Sequence, residues 1–377
     1  MKSPGKLRVL HILPSMQGYG AERQIMQLLP HLQSPGLTAG LATVYTPSDE
    51  QRRSVSFPVI DASRNGRRDF TFIGRLVDSI RSFKPDIVHT HTHVGKYWGR
   101  FAAAAAGVHA IVHTEHNPCD PRRSALDRLA DRALNRYTTR CITFFPEQRE
   151  IVARIDGMSA RKIEIIANGL EFGQMSRPER QQSRELFGLA NDTFAIALIG
   201  RMEYQKNHEL ALRALAEIPR DDRSGIELLF AGSGELERQL RDLARALGVS
   251  GQTRFLGYRS DIQQLMAASD LLLMTSRFEG MPLTLLEGMY AGVPILTTPW
   301  IGAKTMLGNG QYAQISNDWE PGSIAFEIAR ARDRGTHLRE ASDRAKRYVV
   351  DQFSLARMAE AHERLYFDLC AEERSAA

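Results

Sequence analysis

The chain has 377 residues, 43% hydrophobic and 25% charged, the balance of a soluble globular protein long enough for two domains with a core each. No apolar run approaches the roughly 18 residues of a membrane span, "MKSPGKLRVL" is too poor in apolar residues for a signal peptide, and the three cysteines (Cys119, Cys141, Cys370) include no C-x-x-C pair. These features predict a protein of the reducing cytoplasm that touches a membrane peripherally if at all. The formal net charge of +5 is uneven: residues 1–170 carry 24 Lys+Arg against 15 Asp+Glu, the remainder 25 against 29. A basic first half suits an anionic partner such as lipid phosphate, a phosphorylated acceptor or nucleic acid; a plainly solvated surface is the alternative.

Short β-branched runs alternate with helical patterns from end to end. In the first half they are "LRVLHIL", "GLATVYT", "FPVI", "PDIVHT", "HAIVHT", "TRCITFF" and "KIEII". The second half has "FAIALIG", "IELLFAG", "TRFLG", "DLLLMTS" and "VPILTT". Such alternation predicts an α/β protein with parallel sheets. Between the two series lies "NGLEFGQMSRPERQQS", polar and without periodicity, as a linker would be. The predicted organisation is a domain over 1–170, a linker over 171–183, a second domain over 184–350, and a closing helix over 351–377 whose apolar stripe needs a surface. Two doubly wound domains facing across a cleft would bind a ligand at the carboxyl ends of both sheets.

Directly after the first strand, "QGYGAERQ" offers Gly18-x-Gly20, the opening of a dinucleotide fingerprint. Arg23 stands where the third glycine belongs, and the second strand ends in "TVYTP" without the acidic residue that would hold a ribose. What survives is a loop whose backbone can approach a phosphate or sugar closely. His89, His91 and His93 alternate as metal ligands on a strand face would, yet no carboxylate accompanies them. In "SALDRLADRALNRYT", Leu126, Leu129, Ala133, Leu134 and Tyr137 follow helical spacing, while Arg128, Arg132, Arg136 and Arg140 recur every four residues. With a basic loop at Arg64, Arg67 and Arg68, this helix either lies on an anionic membrane or is a solvated face interspersed with Asp127 and Asp131.

The second half carries the chemistry. "IGRMEYQKN" sets Arg201 at a strand end and Lys206 in the loop before the next helix, where two cations would neutralise a diphosphate. "FAGSGELE" is a strand, turn and helix start suited to bordering a nucleotide, and "FLGYRSDI" puts Tyr258 and Arg259 after another strand. In "SRFEGMPLTLLEGMYAGVPILTT", Pro282 suits the first turn of a helix, so Glu279, Gly280 and Met281 fall in the loop before it and Glu287 within it. Glu279 is placed to accept hydrogen bonds from sugar hydroxyls, and Glu287 to hold the paired hydroxyls of a ribose; helix caps or solvated acids are the plain alternative. No D-x-D occurs in the chain.

On these residues the chain resembles the retaining GT-B glycosyltransferases of family 4, also called glycosyl transferases group 1, of the bacterial polysaccharide type. The glycine loop with "AER", the "GR…KN" loop and the E-x7-E string opening with "SRFEG" carry the likeness, which extends over nearly the whole chain. The resemblance implies two Rossmann-like domains across a cleft and a closing helix returning to the first domain. It implies a nucleotide-sugar donor, UDP before GDP, gripped at the diphosphate by Arg201 and Lys206. Glu287 would take the ribose, Glu279 would face the donor sugar, and the amide of Gly20 would lie near the diphosphate beside Gly18. Gly280 and Met281 would line the donor, and Tyr258 the base. His116, in "HTEHNP", matches a histidine close to the donor sugar. Tyr19 departs from the further glycine of many relatives and narrows the acceptor side or packs outward. No metal and no cofactor is implied, since the two cations do the work of a divalent ion. The acceptor would be a lipid-linked glycan handled at the inner membrane face. A sugar-nucleotide epimerase of the same fold and a non-catalytic assembly partner are the rival readings. Nucleic acid is disfavoured because the basic residues are not interleaved with exposed aromatics.

Overall fold

Runs that are apolar on both faces make strands covered by helices above and below, the arrangement of parallel sheets. The computed structural model describes residues 6–17, 20–66, 68–333 and 335–376. The chain divides into two units: one reaches to Glu171 and resumes at Phe353, the other is Phe172–Gln352. In the first unit β1 (Leu7–Leu13), β2 (Leu37–Thr43), β3 (Val59–Asp61), β4 (Ile87–His91), β5 (Ala110–Thr114), β6 (Arg140–Thr143) and β7 (Ile163–Ile165) form a parallel sheet ordered β3-β2-β1-β4-β5-β6-β7. The second unit has β8 (Phe194–Ile199), β9 (Ile226–Ala231), β10 (Thr253–Gly257), β11 (Leu271–Met274), β12 (Ile295–Thr297) and β13 (Gln314–Ile315), ordered β10-β9-β8-β11-β12-β13. Both are doubly wound sheets in the GT-B manner. Each order reverses once, between β1 and β4 and between β8 and β11, and ligands of such sheets bind at the carboxyl side of that reversal. The glycine loop leaves β1, and the "GR…KN" and "SRFEG" loops leave β8 and β11.

The first unit's core joins Val9, Leu13, Leu28, Leu41 and Val112 to Leu355, Met358, Tyr366 and Leu369 of the closing helix Leu355–Ala376. The second unit's core centres on Leu198, Leu212, Phe230, Leu273 and Ile328. Among the described residues, no helix is long and apolar enough to cross a membrane.

Some local expectations change. The stretch read as linker contains a 3₁₀ turn, Phe172–Gln174, and a helix, Arg180–Leu186, whose first amides donate to the Glu179 carboxylate. β13 has no forerunner in the sequence reading, because two residues carry no periodicity. The amphipathic helix is shorter than predicted, Ala125–Leu134, started by a Ser124–Asp127 capping box. Arg140 is therefore not on it but opens β6, where it pairs with Glu372 at 2.7 Å. Nor is the apolar stripe packed inward: Leu126, Leu129 and Tyr137 are 76%, 64% and 51% exposed, and the buried helix residue is Asp131. The reason is charge. Asp131 is drawn in by Arg100 at 2.6 Å and Lys96 at 3.0 Å, with Arg123 also on its carboxylate.

Histidine is the unusual core constituent of the first unit. His11, His89, His91, His113 and His362 are buried, and His116 is partly buried. Burial lowers His11 to about 3 and His113, His116 and His362 to about 4; it holds His89 and His91 well below the usual range, with neighbouring rings adding to the effect. In the second unit His208 is similarly lowered to about 3 by burial and then by Lys206.

These depressed values make the first unit acid-labile. Unfolded histidine titrates near 6.5, so from about pH 6.5 down to the folded values the unfolded state binds more protons, and each such residue removes about 1.4 kcal/mol per pH unit. Hydrogen exchange read by mass spectrometry should show peptides of the first unit losing protection between about pH 6 and 4, before those of Phe172–Gln352. Equal acid stability of the two units would refute this. Independently, Arg100→Leu leaves part of a buried carboxylate uncompensated and should cost about 3–5 kcal/mol in urea unfolding.

Candidate active site

The "GR…KN" loop of the second unit runs from Gly200 to the helix His208–Glu217, with Asn207 at its cap in a left-handed conformation. The "SRFEG" loop runs from β11 to the helix Leu283–Ala291, whose cap is Pro282. Apart from the contacts of Glu279, the loops are laced together where the Arg277 amide donates to Gln205 O (2.9 Å), Thr275 Oγ1 to Lys206 O (2.9 Å), and Arg277 Nη2 to Asn207 Oδ1 (2.8 Å). The "FAGSGELE" turn packs flush beside them. Only glycine fits at Gly232, with φ +144° and a would-be Cβ 2.0 Å from Gly200 O.

On this frame the sequence-predicted cation and carboxylate meet. Lys206 Nζ donates to Glu279 Oε1 at 2.6 Å, Ser276 Oγ to the same oxygen at 2.6 Å, and Gln205 Nε2 to Oε2 at 3.0 Å. Glu279 is 4% exposed and Lys206 18%, so this is a largely desolvated pair. Arg201 is 62% exposed and stands 3.7 Å from Glu203. Glu287 lies inside its helix, 2% exposed. Neither glutamate is a solvated acid. Gly280 and Met281 are buried in the loop beside Glu279, whereas Tyr258 is 69% exposed after β10. Its neighbour Arg259 is held by Asp261, with Nε 2.8 Å from Oδ1, and lies over the Phe187 ring.

In the first unit Gly20 opens the helix Gly20–His31 with φ +43° and nothing within 4 Å of a would-be Cβ, so its demand is conformational, not spatial. Gly18, Tyr19 and Arg67 lie outside the described residues. His116 follows β5, with Nε2 3.4 Å from His91 Nδ1 and its ring against Phe144. The adjoining Glu115 is fixed by Lys96 and accepts from the Asn117 amide at 3.1 Å. Burial pushes the Glu115 carboxyl up, but Lys96 and His113 outweigh it and hold it well below the usual range.

The histidine alternation is broken. His89 and His91 are on β4, but the chain turns at Thr92 with φ +58°, and His93 falls in the helical turn Thr92–Val94 against Tyr97. A β-branched residue there stores about 1–3 kcal/mol of strain. His11, His89 and His91 each offer a ring nitrogen within 4.8 Å of the others, a grouping found nowhere else among the described residues. Sequence reasoning missed His11, Tyr366, Gln205 and Ser276. Gln205 and Ser276 flank the predicted motifs, but His11 and Tyr366 stand 355 residues apart and no local pattern joins them.

The family model for "Glycosyl transferases group 1" matches residues 179–348, and that for "Glycosyltransferase Family 4" residues 19–173. The UDP-Gal:alpha-D-GlcNAc-diphosphoundecaprenol alpha-1,3-galactosyltransferase of Escherichia coli is 26% identical, over 98% of this chain and 99% of its own. The Anabaena protein Alr3699/HepE, solved with UDP and glucose, superposes with a TM-score of 0.80 at 19% identity, covering 98% of this chain and 100% of that one. WaaG, a glycosyltransferase involved in lipopolysaccharide biosynthesis, gives 0.77 at 19% identity, covering 95% and 99%. Two reversing parallel sheets, the loops at their reversal points and matches across both units together make this chain a GT-B glycosyltransferase of the group 1, family 4 type.

Proposed function

We propose that the protein moves a hexose from a nucleotide sugar, UDP-linked before GDP-linked, to a hydroxyl of a lipid-linked glycan in the assembly of a surface polysaccharide or lipopolysaccharide, with retention and without a metal ion. The observation that carries this reading is the Lys206–Glu279 pair, braced by Gln205 and Ser276 at the carboxyl ends of β8 and β11. The UDP held by a protein of like fold and the diphosphoundecaprenol acceptor of the Escherichia coli relative support it.

In the proposed reaction the bond from the anomeric carbon to the diphosphate oxygen breaks as the acceptor oxygen bonds to that carbon from the same face. The acceptor's proton passes to a diphosphate oxygen, so no protein nucleophile is needed. Lys206 and Arg201 neutralise the charge left on the diphosphate, Glu279 accepts from sugar hydroxyls, Glu287 holds the ribose, Gly280 and Met281 line the donor, and Tyr258 flanks the base. Because Lys206 already sits on Glu279, it is oriented before the donor arrives and loses little entropy on gripping it. His116, neutral at pH 7, steadies the sugar from the first unit. The helix Ala125–Leu134 is proposed to rest on the anionic inner membrane face. Its exposed side chains pair Leu126 and Leu129 with Arg128 and Arg132, apolar contact beside positive charge.

Lys206→Ala and Glu279→Ala should each lower turnover by about 10²–10³, with the double variant far from additive because the two side chains touch. Donor hydrolysis with UDP-galactose, UDP-glucose, UDP-N-acetylglucosamine and GDP-mannose tests this; near-native rates in both variants would remove the assignment. The same assay should be indifferent to EDTA, and a requirement for manganese would overturn metal independence. In sedimentation with phosphatidylglycerol vesicles at low salt the protein should pellet, and Leu126→Asp/Leu129→Asp should stay in the supernatant. Binding to neutral vesicles alone, or to none, would contradict docking by this helix.

A further inference from the structure

Tyr366 of the closing helix reaches into the buried histidines of the first unit, and a continuous line of hydrogen bonds runs from it to His116. The phenol oxygen is 3.2 Å from His11 Nε2, His11 Nδ1 is 3.0 Å from His91 Nε2, and His91 Nδ1 is 3.4 Å from His116 Nε2. In the opposite direction the phenol oxygen is 2.6 Å from His89 Nδ1, and His89 Nε2 is 2.7 Å from Thr114 Oγ1. His11, His89, His91 and Tyr366 are all 0% exposed, so water does not replace a lost partner.

Burial and the crowding of like rings keep these histidines neutral near pH 7, each with one N–H and one lone pair. A neutral ring within the line must donate through one nitrogen and accept through the other. The choice at one ring therefore dictates the choice at the next. Only the Tyr366 oxygen, which can accept from both neighbours, loosens this rule, so three arrangements satisfy all five bonds and they present two states of His116. In one, donors point from Thr114 towards His116, which accepts at Nε2 and carries its proton on Nδ1. In the other, His116 donates through Nε2 and leaves a lone pair on Nδ1. A mismatch at a ring-to-ring bond buries two donors or two acceptors face to face, at the full desolvation cost of an unmade bond, and a Tyr366 oxygen that accepts twice leaves its own O–H unmade.

The line does not conduct protons. Its buried end is a threonine hydroxyl, which has no proton to release near neutral pH, and burial holds the Tyr366 phenol well above its ordinary range. What it transmits is orientation: a hydroxyl on the last helix and a ring on β4 decide together which face of His116 is a donor.

We propose that Tyr366, His11 and His91 are positioning residues that tie the ring nitrogen of His116 carrying the proton to the ordering of the whole line, so that His116 changes tautomer only if the bonds behind it reverse together. This rests on the reading of His116 as a group facing the donor sugar.

Long-range ¹H–¹⁵N spectra of protein with labelled imidazoles, recorded at pH 7.5 without ligand, read the tautomer directly. His116, assigned through His116→Gln, should be a single tautomer in the native protein and become mixed or reversed in Tyr366→Phe. If that variant does not fold, His11→Gln keeps a polar contact to Tyr366 and interrupts the line before His91. Unchanged His116 signals in the folded variant overturn the proposal. For turnover, the best-used of UDP-galactose, UDP-glucose, UDP-N-acetylglucosamine and GDP-mannose serves as probe. His116→Gln should lower kcat about 100-fold and Tyr366→Phe about tenfold with donor KM unchanged, and the double variant should be no slower than His116→Gln alone. Full additivity overturns the locking role. A fully active His116→Gln instead overturns the reading of His116, while the spectra still decide whether the line sets its tautomer.

Discussion

All the chemistry of this chain is arranged by one constraint, that a parallel strand must be followed by a crossover before the next can pair with it. Every strand of a sheet therefore ends at the same edge, and the single reversal of order in each unit leaves a gap in the helical cover at that edge. The glycine loop leaves β1 there, and Arg201, Lys206 and Glu279 leave β8 and β11 there. Side chains 73 residues apart come within 2.6 Å because the strands carrying them are neighbours in the sheet.

The ion pair at that edge has a particular electrostatic character. An isolated buried pair repays its desolvation only when its remaining hydrogen-bonding capacity is met, and Glu279 meets it with Lys206, Ser276 and Gln205. The pair orients the lysine, whose side chain stays 18% exposed. A diphosphate there would share a cation already fixed in place, with little reorganisation at the moment of reaction.

The first unit solves a different problem. It buries histidines as well as paired carboxylates, and it keeps the histidines neutral by burial, so their bonds have direction but no charge. Around them Lys96, Arg100 and Arg123 hold Glu115, Asp131 and Asp156, which fixes the loop carrying His116 from below. Drawing Asp131 inward turns the helix Ala125–Leu134 over, and Leu126 and Leu129 face solvent.

The strand series, the parallel α/β class, the three motifs and their family were legible in the sequence, because each is written in contiguous residues: β-branched runs, glycines at turns, and charges at fixed offsets from strand ends. Local spacing also placed Glu279 before its helix and Lys206 in its loop. It did not reveal that these two touch, that Leu126 and Leu129 point outward, that His93 leaves the strand, or that Arg140, read both in "TRCITFF" and on the basic stripe, serves the strand and pairs with Glu372. Those outcomes depend on partners distant along the chain: Arg100 for Asp131, Glu372 for Arg140, Tyr366 for His11 and His89. Spacing within a segment sets what that segment can form by itself. Which of its faces is buried, and which charges meet, is decided by the competing pull of groups that only folding brings near.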